Sequence, residues 1–196
     1  MGGISSGLLV GLVVAGIFVV LVLIVMGMYN ALVRKRIDTE NAWSQIDVQL
    51  KRRYDLIPNL VETVKGYAGH ERGTLEAVIQ ARNQAVSLAG GSASVAQRAE
   101  AEGMLGATLG RLLAISEAYP DLKANANFGK LQEELTSTEN RIGFSRQHYN
   151  DTVARYEEAR QSFPTALIAG AFNFQKKDYF NTTAAVEREA PKVSFT

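Results

Sequence analysis

The sequence predicts an all-α protein: an N-terminal transmembrane helix followed by an antiparallel four-helix bundle with long helices. Three observations predict it. Residues 1–33 contain no Asp, Glu, Lys or Arg, so all 21 basic and 20 acidic residues lie beyond them. Apolar residues then recur at sevens, most plainly Phe128, Leu135, Ile142, Tyr149, Tyr156 and Phe163, a spacing that keeps one helical stripe turned toward a neighbour. The periodic stretches are separated by short loops, and long helices joined in this way pack in alternating direction. The chain divides on these grounds into a short tail (1–6), the membrane helix (7–33), the bundle (34–164) and a C-terminal tail (165–196).

Composition narrows the function classes. There is no cysteine, which removes disulfide frameworks, Cys-based zinc sites and thiol nucleophiles together. The formal net charge of +1 lacks the basic excess of a nucleic-acid-binding domain, so no nucleic-acid partner is expected.

The run Gly7–Val33 far exceeds the roughly 18 residues that identify a spanning helix, and at about 1.5 Å per residue it reaches roughly 40 Å. It is too long for a cleaved signal and carries neither a basic leader nor a small-residue cleavage site. Arg34, Lys35 and Arg36 follow at once, then Lys51, Arg52 and Arg53. The positive-inside rule therefore sets the N-terminus outside and residues 34–196 in the cytoplasm. Gly3, Gly7, Gly11 and Ala15 are spaced by four, a small-residue ridge that lets two helices approach closely in lipid and points to a homo-oligomer.

Beyond the anchor, a first helix runs from about Asp38 to Gly69, with no Gly or Pro to separate it from the membrane helix. Trp43, Leu50, Ile57 and Val64 form one seam; Ile46, Arg53, Leu60 and Tyr67 form the next. Pro58 lies inside it and removes the hydrogen bond to the Tyr54 carbonyl, so a bend is expected there. A second helix covers about Thr74–Leu88, with Leu75, Val78, Ile79, Ala85 and Val86 inward. A third covers about Ser94–Tyr119, with Leu105, Leu109, Leu112, Leu113 and Tyr119 on one side. "YPDLKANAN" reads as a connection, and the fourth helix spans Phe128–Phe163, about 54 Å, ended by Pro164. The tail, apolar and aromatic and then basic at Lys176 and Lys177, reads as packed on the bundle or lying at the membrane interface. The "NTT" at Asn181 matches a glycosylation sequon, which has no meaning in a cytoplasmic domain.

No catalytic constellation is legible. His70 and His148 fall on different helices without a metal-binding spacing. "GGSAS" lacks the Gly-Lys of a phosphate loop, and Ser145 has no histidine base. Glu133–Glu134 and Glu157–Glu158 are adjacent in sequence and read as solvated faces. Neither cofactor nor metal is expected. Charges on or beside the apolar seams carry more information: Arg53, Arg82, Glu102, Glu139 and Arg146. A lone buried charge is prohibitive, so at least one Arg–Glu pair is expected to cross the interior or its rim and fix helix register. Arg53→Met is then expected to be tolerated and Arg53→Ala to loosen the fold. The alternative is a polar ligand pocket.

"NAWSQIDVQLKRRYDLIPNLVETVKGYAGHE" and "AYPDLKANANFGKLQEELTSTENRIGFSRQHYNDTVARYE", with a following "FP", closely resemble the LemA family of bacterial membrane proteins over nearly the whole chain. The resemblance implies an antiparallel helical bundle on a membrane anchor with the N-terminus outside. It brings no enzyme activity. Arg52, Arg53, Pro58, Asn59, Glu139, Asn140, Arg141, Tyr149 and Asn150 match the family pattern as signature positions without assigned roles.

Three functions compete at this level. A membrane-anchored scaffold or adaptor that self-associates and binds protein partners leads. A membrane-shaping or lipid-organising oligomer follows. A small-ligand sensor or hydrolase requires a pocket lined by Arg53, Arg82, Glu102 or Glu139.

Overall fold

A computed structural model describes residues 6–181, and every regular element among them is helical. Six helices follow in order: α1 Ser6–Lys65, α2 Arg72–Ala89, α3 Val95–Ser116, α4 Pro120–Lys123, α5 Ala126–Gln161 and α6 Thr165–Ala171. The apolar helix continues into the next one, as the lack of Gly or Pro between them implies: α1 runs 60 residues without interruption, through Pro58.

Helix ends follow local chemistry. Ser94 caps α3, its hydroxyl accepting from the Gln97 amide while the Gln97 side chain accepts from the Ser94 amide, a reciprocal box that satisfies two otherwise orphaned donors. Asn125 accepts from the amides of Asn127 and Phe128 at the start of α5. α1 ends at Lys65, before the glycine expected to stop it, because Gly66 already opens the turn. Tyr67 therefore leaves the seam; it is exposed, and its hydroxyl accepts from Asn125 Nδ2 at 2.8 Å. The stretch taken as a connection holds α4, where Pro120 occupies the first turn, a position whose fixed φ suits a helix start.

By packing the chain forms two compact units, one of residues up to Asn41 with Asp151–Lys177, the other of Ala42–Asn150 with residues from Asp178 on. In the first, residues 7–27 of α1 are exposed throughout. Leu32 is the first α1 side chain to be buried, clustering with Tyr156, Ala169 and Phe174. Burying such side chains contributes about 1.5–3 kcal/mol each. Tyr29 stacks near Phe172 and Phe174 at 4.9 and 5.6 Å, and the Arg36 guanidinium lies 5.5 Å above the Phe174 ring. The Tyr156 hydroxyl donates to the Gln175 carbonyl at 2.7 Å.

Glu157 is buried here, unlike its exposed neighbour Glu158, which corrects the expectation of a solvated pair. It accepts from Arg160, from Gln161 and from the Lys177 amide. Burial alone would raise its carboxyl, but these hydrogen bonds outweigh burial and hold it below the ordinary 4.5.

In the second unit, the heptad seams become the core. Ile46, Leu50, Ile57, Leu60 and Val64 of α1, Leu105, Leu109 and Leu112 of α3, and Phe128, Leu135, Ile142 and Tyr149 of α5 are all buried. Besides Tyr67, Val86 is exposed here; in the first unit, Phe163 is 83% exposed because α5 stops at Gln161, ahead of the Phe163–Pro164 step where the residue before proline disfavours helix.

Candidate functional site

The most concentrated polar chemistry lies inside the second unit. The heptad stripe of α1 carries Arg53 inward between Ile46 and Leu60, leaving its side chain 1% exposed. A guanidinium there requires anions. Arg53 Nη2 donates to Glu102 on α3, whose side chain is 2% exposed, and Nη1 donates to both carboxylate oxygens of Glu139 on α5 at 2.8 and 3.1 Å. The Tyr54 hydroxyl donates to the other oxygen of Glu102, and burial pushes this phenol above its ordinary value against the opposing charge of Arg53. One cation from α1 is thus shared between carboxylates of two other helices. Its Nε is buried without a hydrogen-bond partner among the described residues.

Arg82 takes another role. Its Nε donates to the backbone carbonyl of Tyr54 at 2.8 Å, and Nη1 donates to Asn83 at 3.3 Å. Arg146 places its guanidinium 4.7 Å above the Phe180 ring. Of the five interior charges read from the sequence, Arg53, Glu102 and Glu139 come together, whereas Arg82 and Arg146 meet backbone and aromatic groups. A further pair escaped the sequence reading: Arg98 of α3, 8% exposed, binds Asp47 and lies 4.6 Å above Trp43. The heptad pattern marks Trp43, but nothing in spacing distinguishes Arg98 from the other charges of its helix.

The remaining signature positions lie in several different settings. Arg52 pairs with Glu134 across the exposed rim. Tyr149 and Asn150 hold the segment after α6: the Tyr149 hydroxyl donates to the Asp178 carbonyl at 2.9 Å, and the Asn150 amide both donates to the Phe180 carbonyl and accepts from its amide. Burial, followed by the negative charge of Asp178, pushes the Tyr149 phenol up to about 12. Phe180 is buried there, its ring 5.8 Å from that of Trp43. Asn140 and Arg141 are exposed and line a shallow groove of about 590 Å³ with Gln132, Glu133, Thr136 and Ser137. Asn59 is exposed and its carbonyl accepts from Thr63.

Arg53 closes on Glu102 and Glu139, so this cluster is an internal tie. Arg82 does line a groove of about 430 Å³, with Asp47, Lys51, Tyr54, Asp55 and Arg98. Two of its cations are already committed, Arg82 to the Tyr54 carbonyl and Arg98 to Asp47. His70 and His148 are both exposed, and among the described residues no three His, Asp or Glu groups gather as for a metal ion. On the anchor, Gly7, Gly11 and Ala15 are exposed; Gly3 lies outside the described residues.

The model of the LemA family matches residues 42–195. The chain is 26% identical over 180 residues to magnetosome protein MamQ of Magnetospirillum gryphiswaldense, covering 80% of this chain and 66% of that protein. It is 25% identical over 167 residues to protein LemA of Metamycoplasma hominis, covering 85% and 73%. The chain thus spans 66% of the length of its magnetosome relative.

Proposed function

The chain belongs to the LemA family, and we propose that it is a membrane-anchored helical scaffold that self-associates and binds protein partners, without catalysis of its own. It is a membrane-associated helical protein with one apolar helix long enough to span a bilayer. In this reading the N-terminus lies outside a bacterial inner membrane, and the helices beyond the anchor form an antiparallel four-helix bundle in the cytoplasm.

One observation carries the reading. The buried charges most suited to a ligand, Arg53 and Glu102, are tied to each other and to Glu139 and Tyr54. The interior polar groups therefore serve helix register, and the chemistry left for function is surface and membrane contact. The ligand-sensor reading retains the groove beside Arg82, where Arg82 and Arg98 already have partners.

Cross-linking with mass spectrometry in native membranes tests the proposal. Cross-links between copies, and to other membrane proteins, are expected; a pattern of isolated monomers overturns it. A cysteine at Gly91, in the turn between α2 and α3, tests topology in this cysteine-free chain. It should resist an impermeant reagent applied to intact cells.

A further inference from the structure

The first unit carries apolar surface that the anchor does not account for. α6 packs its Ala169 face, with Ile168, against Leu32 and Val33, where the charge-free run of α1 ends. Around it apolar side chains are left open: Phe163 is 83%, Leu167 65% and Phe172 55% exposed. Phe172 stacks 4.9 Å from Tyr29, so this surface adjoins the last turns of the spanning segment. A tyrosine at that depth is typical of a membrane–water boundary. The stretch itself carries no acid. From Phe163 to Lys177 there is no Asp or Glu, while Lys176 and Lys177 end the stretch, and Arg34, Lys35 and Arg36 leave the anchor at the same end.

We propose that residues 163–172 form a second membrane contact, lying in the phospholipid interface beside the exit of the anchor, with Lys176 and Arg34 facing lipid phosphates while Lys177 stays paired with Glu40. Two features select lipid as the occupant. The open apolar surface is continuous with the exposed surface of the anchor through Tyr29, and exposed basic residues, Lys176 and Arg34, border it, as an interfacial segment requires. The contact would fix the rotation of α1 about its axis, because a lone spanning helix is free to turn whereas one with a lateral foot is not. The inference rests on the anchoring of the chain in a bilayer and is independent of self-association.

The absence of cysteine makes the test direct. Full-length protein carrying one spin label at Leu167→Cys is reconstituted into phosphatidylcholine–phosphatidylglycerol vesicles, with Leu12→Cys and Ser92→Cys as references. Collision with oxygen, which partitions into lipid, is compared with collision with a water-soluble nickel chelate. All three positions are solvent-accessible in the isolated chain, so the labels displace no packed side chain. The Leu167 label should shift toward the oxygen-dominated behaviour of Leu12, and the Ser92 label should remain chelate-dominated. A Leu167 label as open to the chelate as Ser92, with Leu12 still in lipid, overturns the contact while leaving the anchor intact. Shielding of Leu167 from both reagents assigns the surface to a protein neighbour and overturns it equally. A chelate-accessible Leu12 would remove the anchoring itself, and the proposal with it.

Discussion

Arg82 donates from Nε to the backbone carbonyl of Tyr54 at 2.8 Å, and that carbonyl is the one Pro58 leaves without its helical donor. In an unbroken α-helix the amide four residues on supplies that bond, but proline has no N–H. A side chain from α2 takes the place of the missing amide. The proline in the middle of a 60-residue helix thereby becomes a docking point for the next helix.

This relation predicts coupling between the two positions. Arg82→Met alone strands the Tyr54 carbonyl and should cost about 1 kcal/mol. With Pro58→Ala the amide at 58 returns as donor, so the same Arg82→Met change should cost measurably less. Thermal unfolding of the four proteins in detergent, followed by circular dichroism, gives the coupling energy. Additive losses would show that Arg82 and the proline gap are independent.

The shared cation predicts asymmetry of a different kind. Sequence reasoning expected Arg53→Met to be tolerated, since buried ion pairs are often replaceable by apolar groups. The geometry revises this, because methionine would leave the buried Glu102 carboxylate with only the Tyr54 hydroxyl. Arg53→Met should therefore destabilise by about 3–5 kcal/mol, and adding Glu102→Gln should recover a large part of the loss. Glu139, partly exposed, can turn toward water in either protein. Urea unfolding in detergent reads both values, and equal stability of the single and double variants would refute the account.

The parts of this fold legible in the sequence are those set by period and by composition. A charge-free run defined the anchor, and sevens defined the buried faces of α1, α3 and α5, because both signals repeat over many residues. The site was half legible for the same reason. Arg53 stood out by interrupting a seam, and the need for a carboxylate partner followed from electrostatics. Arg98 with Asp47, and Glu157 with the Lys177 amide, depend on how separate segments meet, which no single helix encodes. Phe163 shows the opposite failure: the seven-residue period continued past the point where Pro164 ended the helix.

Glu157 predicts acid sensitivity of the segment that follows α6. Its carboxyl is held below the ordinary 4.5 in the folded protein. A depressed carboxyl contributes stability that is present above the unfolded value and lost as pH falls through the folded one. Protection of the Lys177 amide against hydrogen exchange should therefore fall, relative to the α5 core, as pH drops below about 4.5. In Glu157→Gln, which keeps an acceptor but no charge, that dependence should flatten. An unchanged pH profile in the variant would assign the effect to another group.

Tyr149 predicts the reverse on the alkaline side. Burial pushes its hydroxyl up to about 12, whereas an unfolded tyrosine ionises near 10. A raised value means stability fully present below 10 that declines as pH rises toward 12. Tyr149→Phe should remove one late step from the tyrosinate absorbance titration and cost about 1 kcal/mol through loss of the bond to the Asp178 carbonyl. If the late step persists in the variant, another buried phenol is its source.

The anchor offers a test of self-association that the rest of the chain does not disturb. A Cβ built at Gly7 or Gly11 meets nothing within 4 Å, so a larger residue there clashes with no part of its own chain. It also exchanges glycine for a better helix former, which favours α1 by up to about 1 kcal/mol. Gly11→Leu should therefore leave the fold and membrane insertion of a single copy intact. If two anchors meet along Gly7, Gly11 and Ala15, leucine at the crossing would force the backbones apart and remove the close packing that holds such helices together in lipid. The yield of cross-linked dimer in native membranes should fall severalfold in Gly11→Leu, with Gly16→Leu, off the ridge and equally open in one chain, as the control. Equal loss at both positions would point to a general effect of bulk in the anchor, and no loss at either would place the contact between copies outside this ridge.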